Sequence, residues 1–247
     1  MTTGDDMIGT ASAEHSSRRA LVIGASRGIG LGITRVLLAH GWQVTATIRN
    51  TTRTPQALSE LKNAHGAALE IVEFDLAQPS RLPTLAESLG SQALDLLIIS
   101  AGIMGPGHQR AEQVTPESVG ELFDINAMAP LRIARALLPI MASGGVIGFL
   151  SSRMGSVSLN DTGDRELYRA SKAALNSLSR GFAINEALPA GIGVLNLHPG
   201  WVQTDMGGSE APVTIEQSVT GLVNVMEDAL GQVEQRFVDF EGQTLTW

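Results

Sequence analysis

The sequence predicts an α/β fold, a doubly wound parallel sheet of about seven strands with helices on both faces. Short apolar segments alternate along the 247-residue chain with longer segments of helical periodicity. The apolar segments are almost continuously hydrophobic, as expected for strands buried on both faces of a parallel sheet. No internal repeat, low-complexity segment or linker marks a second domain, so we predict one domain over residues 18–247.

Seven strands and six helical segments are predicted. The strands are the short β-rich segments Ala20–Ile23, Gln43–Ile48, Leu69–Phe74, Leu94–Ile99, Val146–Leu150, Gly193–Leu197 and Arg236–Phe240. The helical segments are Ile29–His40 (ended by Gly41), Pro55–Ala64 (closed by His65–Gly66), Leu82–Leu89, Pro116–Ala142, Glu166–Leu188 and Ile215–Leu230. Ligands of such sheets bind at the carboxyl ends of the strands, so the residues after each strand are the functional candidates.

The composition excludes several kinds of protein. A formal net charge of −8 argues against non-specific nucleic-acid binding, which needs a basic surface. Without cysteine the chain cannot form disulfides, use a thiolate nucleophile or build a cysteine zinc site, and no metal site is predicted. No segment is long and apolar enough to span a membrane, and residues 1–17 lack the apolar core of a signal peptide. We therefore expect a cytoplasmic protein with a flexible tail over residues 1–17.

A glycine-rich loop follows the first strand, with the sequence Gly24-Ala25-Ser26-Arg27-Gly28-Ile29-Gly30. Its three glycines permit a tight turn, a close backbone approach to a ligand and close helix–strand packing. The helix that starts there offers free N–H groups and the positive end of its dipole to a pyrophosphate. The loop therefore predicts a dinucleotide site.

The same loop also fits the G-x-S-x-G nucleophile elbow of serine hydrolases, with Ser26 as the nucleophile. His198, after the sixth strand, and an aspartate could complete a triad. The elbow normally follows a strand in the middle of the sheet, whereas this loop follows the first strand. A hydrolase would also leave Gly30 without a role, so this alternative is remote.

The end of the second strand indicates which dinucleotide binds. NAD enzymes of this architecture carry an acidic residue there for the ribose 2′-hydroxyl. This strand ends in Thr47-Ile48-Arg49-Asn50, without a carboxylate, and Arg27 lies in the glycine loop. Guanidinium groups bind phosphate in a planar fork, so the two arginines suit a 2′-phosphate. We predict NADP(H), with NADPH preferred over NADH.

Two further strand ends fit a bound nucleotide. Asp75-Leu76 follows the third strand, where the carboxylate could accept a hydrogen bond from the adenine amino group or could serve only the loop. Ser100-Ala101-Gly102 follows the fourth strand, and its small side chains would let a nucleotide lie against the strand end.

Asn126 is a polar residue on a mainly apolar helical stripe, and it needs a partner if it is buried. Pro130, four residues later, has no N–H to give to the carbonyl of Asn126. A kinked helix with a freed carbonyl could hold an ordered water here. A helix that merely tolerates an Asn–Pro irregularity in its interior, without a bound water, would have the same sequence pattern.

The only tyrosine, Tyr168, lies four residues before Lys172, one of just two lysines. Residues four apart share a helix face, so the ammonium is expected beside the phenol and should lower its pKa. A phenol so tuned is suited to protonate a developing alkoxide. Ser151-Ser152 ends the fifth strand, where a hydroxyl could hold the oxygen of a substrate.

Taken in order, these motifs resemble those of the classical short-chain dehydrogenase/reductase family, which has a Rossmann-type fold. The resemblance covers roughly residues 18–247 and is carried by Gly24–Gly30, Asp75, Ala101-Gly102, Asn126, Ser152, Tyr168, Lys172 and Pro199-Gly200. The segments His198–Gly208 and Phe240–Trp247 are similar to those of its NADP-dependent, carbonyl-reductase-like branch, which includes bacterial C-factor-type proteins.

The resemblance implies a role for each catalytic position. Tyr168 would be the general acid in reduction, Lys172 would lower its pKa and bind the nicotinamide ribose, and Ser152 would position the carbonyl. Asn126 would hold, through its main chain, a water that links Lys172 to solvent. The nicotinamide and pyrophosphate end of the cofactor would be lined by Pro199, Gly200, Val202 and Thr204.

The sequence departs from the family pattern at three places. Ile23 and Ser100 stand where the family usually has Thr and Asn, at positions thought to tie neighbouring strands together. The stretch from Arg153 to Glu166 is longer than in many members, so it should bulge at the mouth of the pocket.

The sequence thus predicts an NADPH-dependent reductase of aldehydes or ketones. The second hypothesis is a catalytically idle NADP-binding regulatory or signalling protein on the same fold. The substrate is not specified; an apolar pocket could be walled by Met104, Met154, Trp201 and Met206, which are equally compatible with ordinary packing. By analogy with related proteins, the long helices after the fourth and fifth strands could form a homodimer or homotetramer interface.

Overall fold

The computed structural model describes residues 18–90 and 92–247 and contains one parallel seven-stranded sheet. The predicted tail, residues 1–17, lies outside the described residues. The strands are β1 (Arg19–Ile23), β2 (Gln43–Ile48), β3 (Leu69–Glu73), β4 (Leu94–Ile99), β5 (Met141–Leu150), β6 (Gly193–His198) and β7 (Gln235–Asp239). Their spatial order, β3-β2-β1-β4-β5-β6-β7, reverses direction beside β1, and the predicted doubly wound α/β fold is confirmed.

The helices cover both faces of this sheet. They are α1 (Gly28–Ala39), α2 (Gln56–His65), α3 (Leu82–Ser88), α4 (Pro116–Phe123), α5 (Ala129–Leu137), α6 (Glu166–Phe182) and α7 (Ile215–Asp228). One apolar cluster joins α1, α2 and α7 to one face, and a second joins α3, α5 and α6 to the other. Both faces of the central strands are therefore buried, which explains their continuous hydrophobicity, whereas the edge strands β3 and β7 are partly exposed and carry charged residues.

The single helix predicted over Pro116–Ala142 is wrong in its interior and at its end. A five-residue π-helical turn, Asp124–Met128, separates α4 from α5. It contains Asn126, whose carbonyl cannot receive a hydrogen bond from Pro130. A 3₁₀ turn containing Pro139 follows α5, and Met141 already pairs with Leu94 in the sheet. The apolar run misled the prediction because periodicity alone cannot separate the end of a helix from a buried strand.

The helix predicted over Glu166–Leu188 also ends earlier. The regular helix α6 stops at Phe182, and a π-helical turn covers Ala183–Ala187. Among residues 18–90 and 92–247, no helix combines the length and the hydropathy needed to cross a bilayer.

Candidate active site

The carboxyl ends of the central strands open into a cavity of about 700 Å³. Of the residues predicted for the cofactor, those lining it are Gly24, Ser26, Arg27, Gly28, Ile29, Gly30, Arg49, Asp75, Leu76, Ala101, Gly102, Tyr168, Lys172, Pro199 and Thr204. Gly200 and Val202 are not in its wall; Val202 is buried and pairs with Val213. The cavity therefore brings together residues that lie far apart in the sequence, from Gly24 to Ile215.

The loop after β1 is shaped by backbone constraints. Gly24 has φ +87°, and a Cβ on Gly30 would lie 2.1 Å from the carbonyl oxygen of Gly24. The loop is tied to β2, because the Gly24 and Ala25 amides donate to the side-chain and main-chain oxygens of Thr47, at 3.1 and 2.9 Å. The start of α1 has no side-chain cap and no acidic residue in its first turn. Its N–H groups thus face the cavity with nothing anionic from their own helix.

The two arginines predicted for the 2′-phosphate lie in different surroundings. Arg49, at the end of β2, is exposed at the edge of the cavity. Arg27 forms an exposed ion pair with Asp205 from the loop after β6. Binding of a phosphate by Arg27 would require this exposed pair to open, which costs little because surface pairs contribute about 0–1 kcal/mol.

Asp75 also has an internal partner. One of its carboxylate oxygens accepts a hydrogen bond from the Ala77 amide at 3.1 Å, an ordinary turn contact. Leu76, beside it, is buried with 8% of its surface exposed. The adenine contact stays a prediction, and the turn contact shows that Asp75 also serves the loop.

Lys172 is buried in the centre of the site. Its side chain leaves only 5% of the residue exposed, and Nζ donates to the Leu150 carbonyl at the end of β5, at 2.9 Å. The ammonium lies 5.9 Å from the centre of the Tyr168 ring. A Cβ on Gly102 would be 3.5 Å from Lys172 Nζ and 3.3 Å from Asn126 Oδ1. The glycine after β4 therefore leaves the space in which Lys172 and Asn126 approach each other.

The expected lowering of the Tyr168 pKa by Lys172 is not what the isolated chain shows. Burial raises the pKa of Tyr168 to about 12, and the Arg165 charge and the Ser152 side chain oppose that rise. Burial also lowers the pKa of Lys172 to about 8. Desolvation outweighs the neighbouring cation because it penalises the charged form of each group, the phenolate and the ammonium alike.

The two serines after β5 have separate environments. Ser152 is 7% exposed, and its Oγ accepts from the Met154 amide at 3.1 Å. Ser151 donates to Asn176 Oδ1 at 2.6 Å, and Asn176 in turn is joined to Asn196 on β6. Ser151 therefore lines the cavity and connects it to a buried polar network, while Ser152, which is not in the cavity wall, is the hydroxyl near Tyr168 that also influences its pKa.

Asn126 is completely buried in the π-helical turn, and its side chain is hydrogen-bonded both to the loop after β4 and to α6. Its side chain accepts from the Ile103 amide and donates to the Ile103 carbonyl, both at 2.8 Å. Nδ2 also donates to Ser171 Oγ at 3.1 Å, and Ser171 donates to the Tyr168 carbonyl at 2.8 Å. The buried asparagine thus finds its partners, as its position on an apolar stripe required. The water on its main chain stays a prediction.

Gln109 positions Tyr168, and sequence reasoning missed it. Its Oε1 accepts from the Tyr168 amide at 3.0 Å, and its main-chain oxygen accepts from the Leu167 amide at 3.3 Å. Its Nε2 donates back to the Met104 and Pro106 carbonyls. A lone glutamine in a loop carries no sequence signal for capping a helix that begins more than 50 residues later.

The four residues predicted for a substrate pocket separate into two groups. Met206 lines the cavity, whereas Met104, Met154 and Trp201 do not. Trp201 is 56% exposed, and its indole N–H donates to the Gly207 carbonyl at 2.7 Å. Met104 Sδ lies 3.3 Å from a guanidinium nitrogen of Arg165. An apolar substrate wall therefore has one of its four predicted members in place.

His198 argues against the hydrolase alternative. Its Nδ1 is buried and has no hydrogen-bond partner among the described residues. Burial and the Arg153 charge lower its pKa to about 4, although Asp239 acts in the opposite direction. A triad histidine needs an acid on Nδ1 to orient the ring and to stabilise its charged form, and His198 lacks that contact.

Comparison with known proteins agrees with this architecture. The short chain dehydrogenase family matches residues 18–233. A carbonyl reductase from Pseudomonas aeruginosa PAO1, solved in complex with NADP, is 45% identical with a TM-score of 0.87, over 94% of this chain and 100% of that one. An NADP-bound protein from Burkholderia multivorans, a short-chain dehydrogenase/reductase by its description, is 34% identical with a TM-score of 0.89, over 94% and 100%.

One relative has a different description. The C-signal of Myxococcus xanthus is 37% identical over 156 residues, which are 62% of this chain and 93% of that protein. The family match spans nearly all of the described residues and includes the glycine loop, the Tyr168–Lys172 helix and the ends of β4 to β6. The chain therefore belongs to the short-chain dehydrogenase family of oxidoreductases.

Proposed function

We propose that this protein is an NADPH-dependent carbonyl reductase in which Tyr168 is the general acid. The observation that carries the proposal is the buried corner formed by Tyr168, Lys172 and Ser152. Tyr168 and Lys172 line the cavity that begins at the glycine loop, and Ser152 lies beside Tyr168. The solved relatives described as carbonyl reductases support the same reaction.

The residues of the cavity fit a phosphorylated dinucleotide. The uncapped start of α1 offers N–H donors to a pyrophosphate, and Gly24, Gly28 and Gly30 line the cavity without side chains that would fill it. Arg49 would bind the 2′-phosphate, since β2 ends without the carboxylate that an NAD enzyme uses there. NADPH supplies the hydride when it is bound.

Tyr168 is protonated at neutral pH and can donate its proton to the carbonyl oxygen as the carbon is reduced. Burial, which raises its pKa to about 12, makes the phenol of the isolated chain a weaker acid than a free tyrosine. Ser152, which lies beside the Tyr168 hydroxyl, would donate to the same substrate oxygen. Lys172, held by the Leu150 carbonyl, places a positive charge near the phenolate that remains after the transfer.

The test is Tyr168→Phe, which removes one oxygen from a buried ring and leaves its packing in place. We expect carbonyl reduction, followed by NADPH absorbance, to fall by about 10²–10⁴-fold, the usual contribution of a general acid. The dissociation constant for NADPH should change little. Turnover retained within tenfold would rule out Tyr168 as the proton donor.

A second candidate is an NADP-binding regulatory or signalling protein, favoured by the likeness to the C-signal. This candidate predicts NADPH binding without turnover of any aldehyde or ketone in a broad panel. Self-association as a homodimer or homotetramer is part of either proposal, and light scattering of the purified chain would measure it.

A further inference from the structure

One ion pair joins two loops across the edge of the cavity. Arg27 in the glycine loop is paired with Asp205 in the loop after β6, and both residues line the cavity. Their side chains are 72% and 76% exposed, so the pair lies where the cavity opens to solvent. The two loops meet at a second point, since a Cβ on Gly28 would lie 3.7 Å from Thr204 Cγ2. A ligand that reaches Arg27 from the cavity therefore meets a cation that already has a partner.

Asp205 is held toward the glycine loop by the turn in which it lies. The amides of Gly207 and Gly208 donate to the side-chain and main-chain oxygens of Thr204, at 3.1 and 2.8 Å. The indole of Trp201 closes the same segment by donating to the Gly207 carbonyl at 2.7 Å. These hydrogen bonds enclose Asp205, so its place beside the glycine loop follows from the turn as well as from the ion pair.

The other charged side chains of the cavity wall have separate partners or none of opposite charge. Among the described residues, the charged groups that line the cavity are Arg27, Arg49, Asp75, Lys172 and Asp205. Asp75 accepts from an amide of its own turn, and Lys172 donates to a main-chain carbonyl. The start of α1 has no acidic residue in its first turn. Asp205, supplied by a distant loop, is thus the carboxylate that a phosphate would encounter at Arg27.

A phosphate is a stronger partner for Arg27 than the exposed carboxylate of Asp205. An ion pair at the surface changes an equilibrium by at most about fivefold, because water and salt screen both charges. A guanidinium that binds a phosphate in a planar fork makes charge-assisted hydrogen bonds, which contribute about 10–100-fold. A 2′-phosphate would therefore take Arg27 from Asp205, with an affinity reduced by the contribution of the pair. NADH has a hydroxyl at that position and brings no competing anion there.

We propose that Asp205 is a specificity-determining residue for the cofactor, because it competes with the 2′-phosphate of NADPH for Arg27. The inference rests on the proposed binding of NADPH and adds a residue that limits its strength. Binding of NADPH includes the opening of the ion pair, whereas binding of NADH leaves the pair closed. Asp205 therefore reduces the preference for NADPH over NADH, and it gives Arg27 a partner again when the cofactor leaves.

Removal of the Asp205 charge tests the proposal by binding alone. Asp205→Asn keeps the size of this exposed side chain, and isothermal titration calorimetry with NADPH and with NADH gives both dissociation constants. Glu210→Gln is the matched control, because Glu210 is an exposed carboxylate of the same loop that does not line the cavity. Adenosine 2′,5′-bisphosphate and 5′-AMP repeat the comparison with two ligands that differ only in the 2′-phosphate. Thermal unfolding of each variant checks that the fold is kept.

We expect Asp205→Asn to bind NADPH and the bisphosphate about two- to fivefold more tightly than the native protein does, with NADH and 5′-AMP unchanged. Glu210→Gln should bind all four ligands as the native protein does. Weaker or unchanged NADPH binding by Asp205→Asn, or an equal gain with NADH, would overturn the proposal.

A double-mutant cycle shows whether the gain comes through Arg27. Arg27→Ala should weaken NADPH binding about 10–100-fold, and Asp205→Asn should add no gain in that background, because the shared partner is gone. A gain that persisted without Arg27 would mean that Asp205 repels the phosphate directly, and it would refute the competition.

These titrations need no catalysis, so they separate the inference from the proposed function. NADPH binding that responds to Asp205→Asn as expected, in a protein that reduces no carbonyl compound, would count against the reductase alone. NADPH binding without that response would refute the inference alone. A native protein that binds neither NADPH nor the bisphosphate would refute both.

Discussion

Two helix N-termini border the cavity, and they are built in opposite ways. The start of α1 has glycines at Gly28 and Gly30, no side-chain cap and no acid in its first turn. The start of α6 is filled by protein, because Gln109 accepts from two of its amides and Glu166 lies in its first turn. An open helix end is available to an anionic ligand, whereas a satisfied one serves as a rigid support. The first therefore suits the cofactor, and the second fixes Tyr168.

The largest effect is expected from Gly30→Ala, which adds a side chain at the open N-terminus of α1. Its Cβ would lie 2.1 Å from the Gly24 carbonyl oxygen, so the loop backbone must move. We expect a loss of about 1–3 kcal/mol in the free energy of unfolding, as for other overpacked sites, together with loss of NADPH binding. Chemical denaturation and NADPH fluorescence titration measure the two effects.

Gly120→Ala is the matched control for that substitution. Gly120 lies in α4, and a Cβ there would meet nothing within 4 Å. Alanine is the better helix former, so this variant should gain about 0.5–1 kcal/mol and bind NADPH normally. A Gly30→Ala protein as stable and as tightly binding as this control would show that the close contact in the loop is not required.

The sequence predicts the open N-terminus of α1 better than it predicts the filled N-terminus of α6. The glycine loop and the seven strands were predictable, because a positive φ and burial on both faces of a sheet select residue types that are visible in the sequence, such as Gly24 at its turn. The contact of Arg49 with a 2′-phosphate stays a prediction. The support for Tyr168 was not, since Gln109 and Ser171 act through contacts that only the folded chain creates. The direction of the Tyr168 pKa was also predicted wrongly, because pair spacing reports a neighbouring charge but not the degree of burial.

An intermediate effect is expected from Arg49→Ala, which tests the cofactor assigned to the open end. Loss of a guanidinium–phosphate contact should weaken NADPH binding by about 10–100-fold and leave NADH binding nearly unchanged. Arg53→Ala is the control, because Arg53 is an exposed arginine of the next turn and does not line the cavity. Fluorescence titration with both cofactors measures the result. Equal weakening of NADPH and NADH by Arg49→Ala would refute the 2′-phosphate contact.

The smallest effect is a difference in pH dependence between the two helix ends. Lys172 has its pKa lowered to about 8, so its ammonium is present below that pH and is lost above it, while Tyr168 stays protonated to far higher pH. His198, with a pKa near 4, does not titrate between pH 6 and 9. We therefore expect kcat/KM for reduction to be level below about pH 8 and to fall above it, by at most tenfold per pH unit.

The open end of α1 should not share this decline. Guanidinium groups do not deprotonate in proteins, so NADPH binding at this end should be nearly constant between pH 7 and 9 while turnover falls. Lys172→Arg keeps a cation that does not deprotonate, and its remaining activity should lose the decline near pH 8. A decline that persisted in Lys172→Arg, or that appeared equally in NADPH binding, would place the titrating group outside the Tyr168 corner and remove the distinction between the two helix ends.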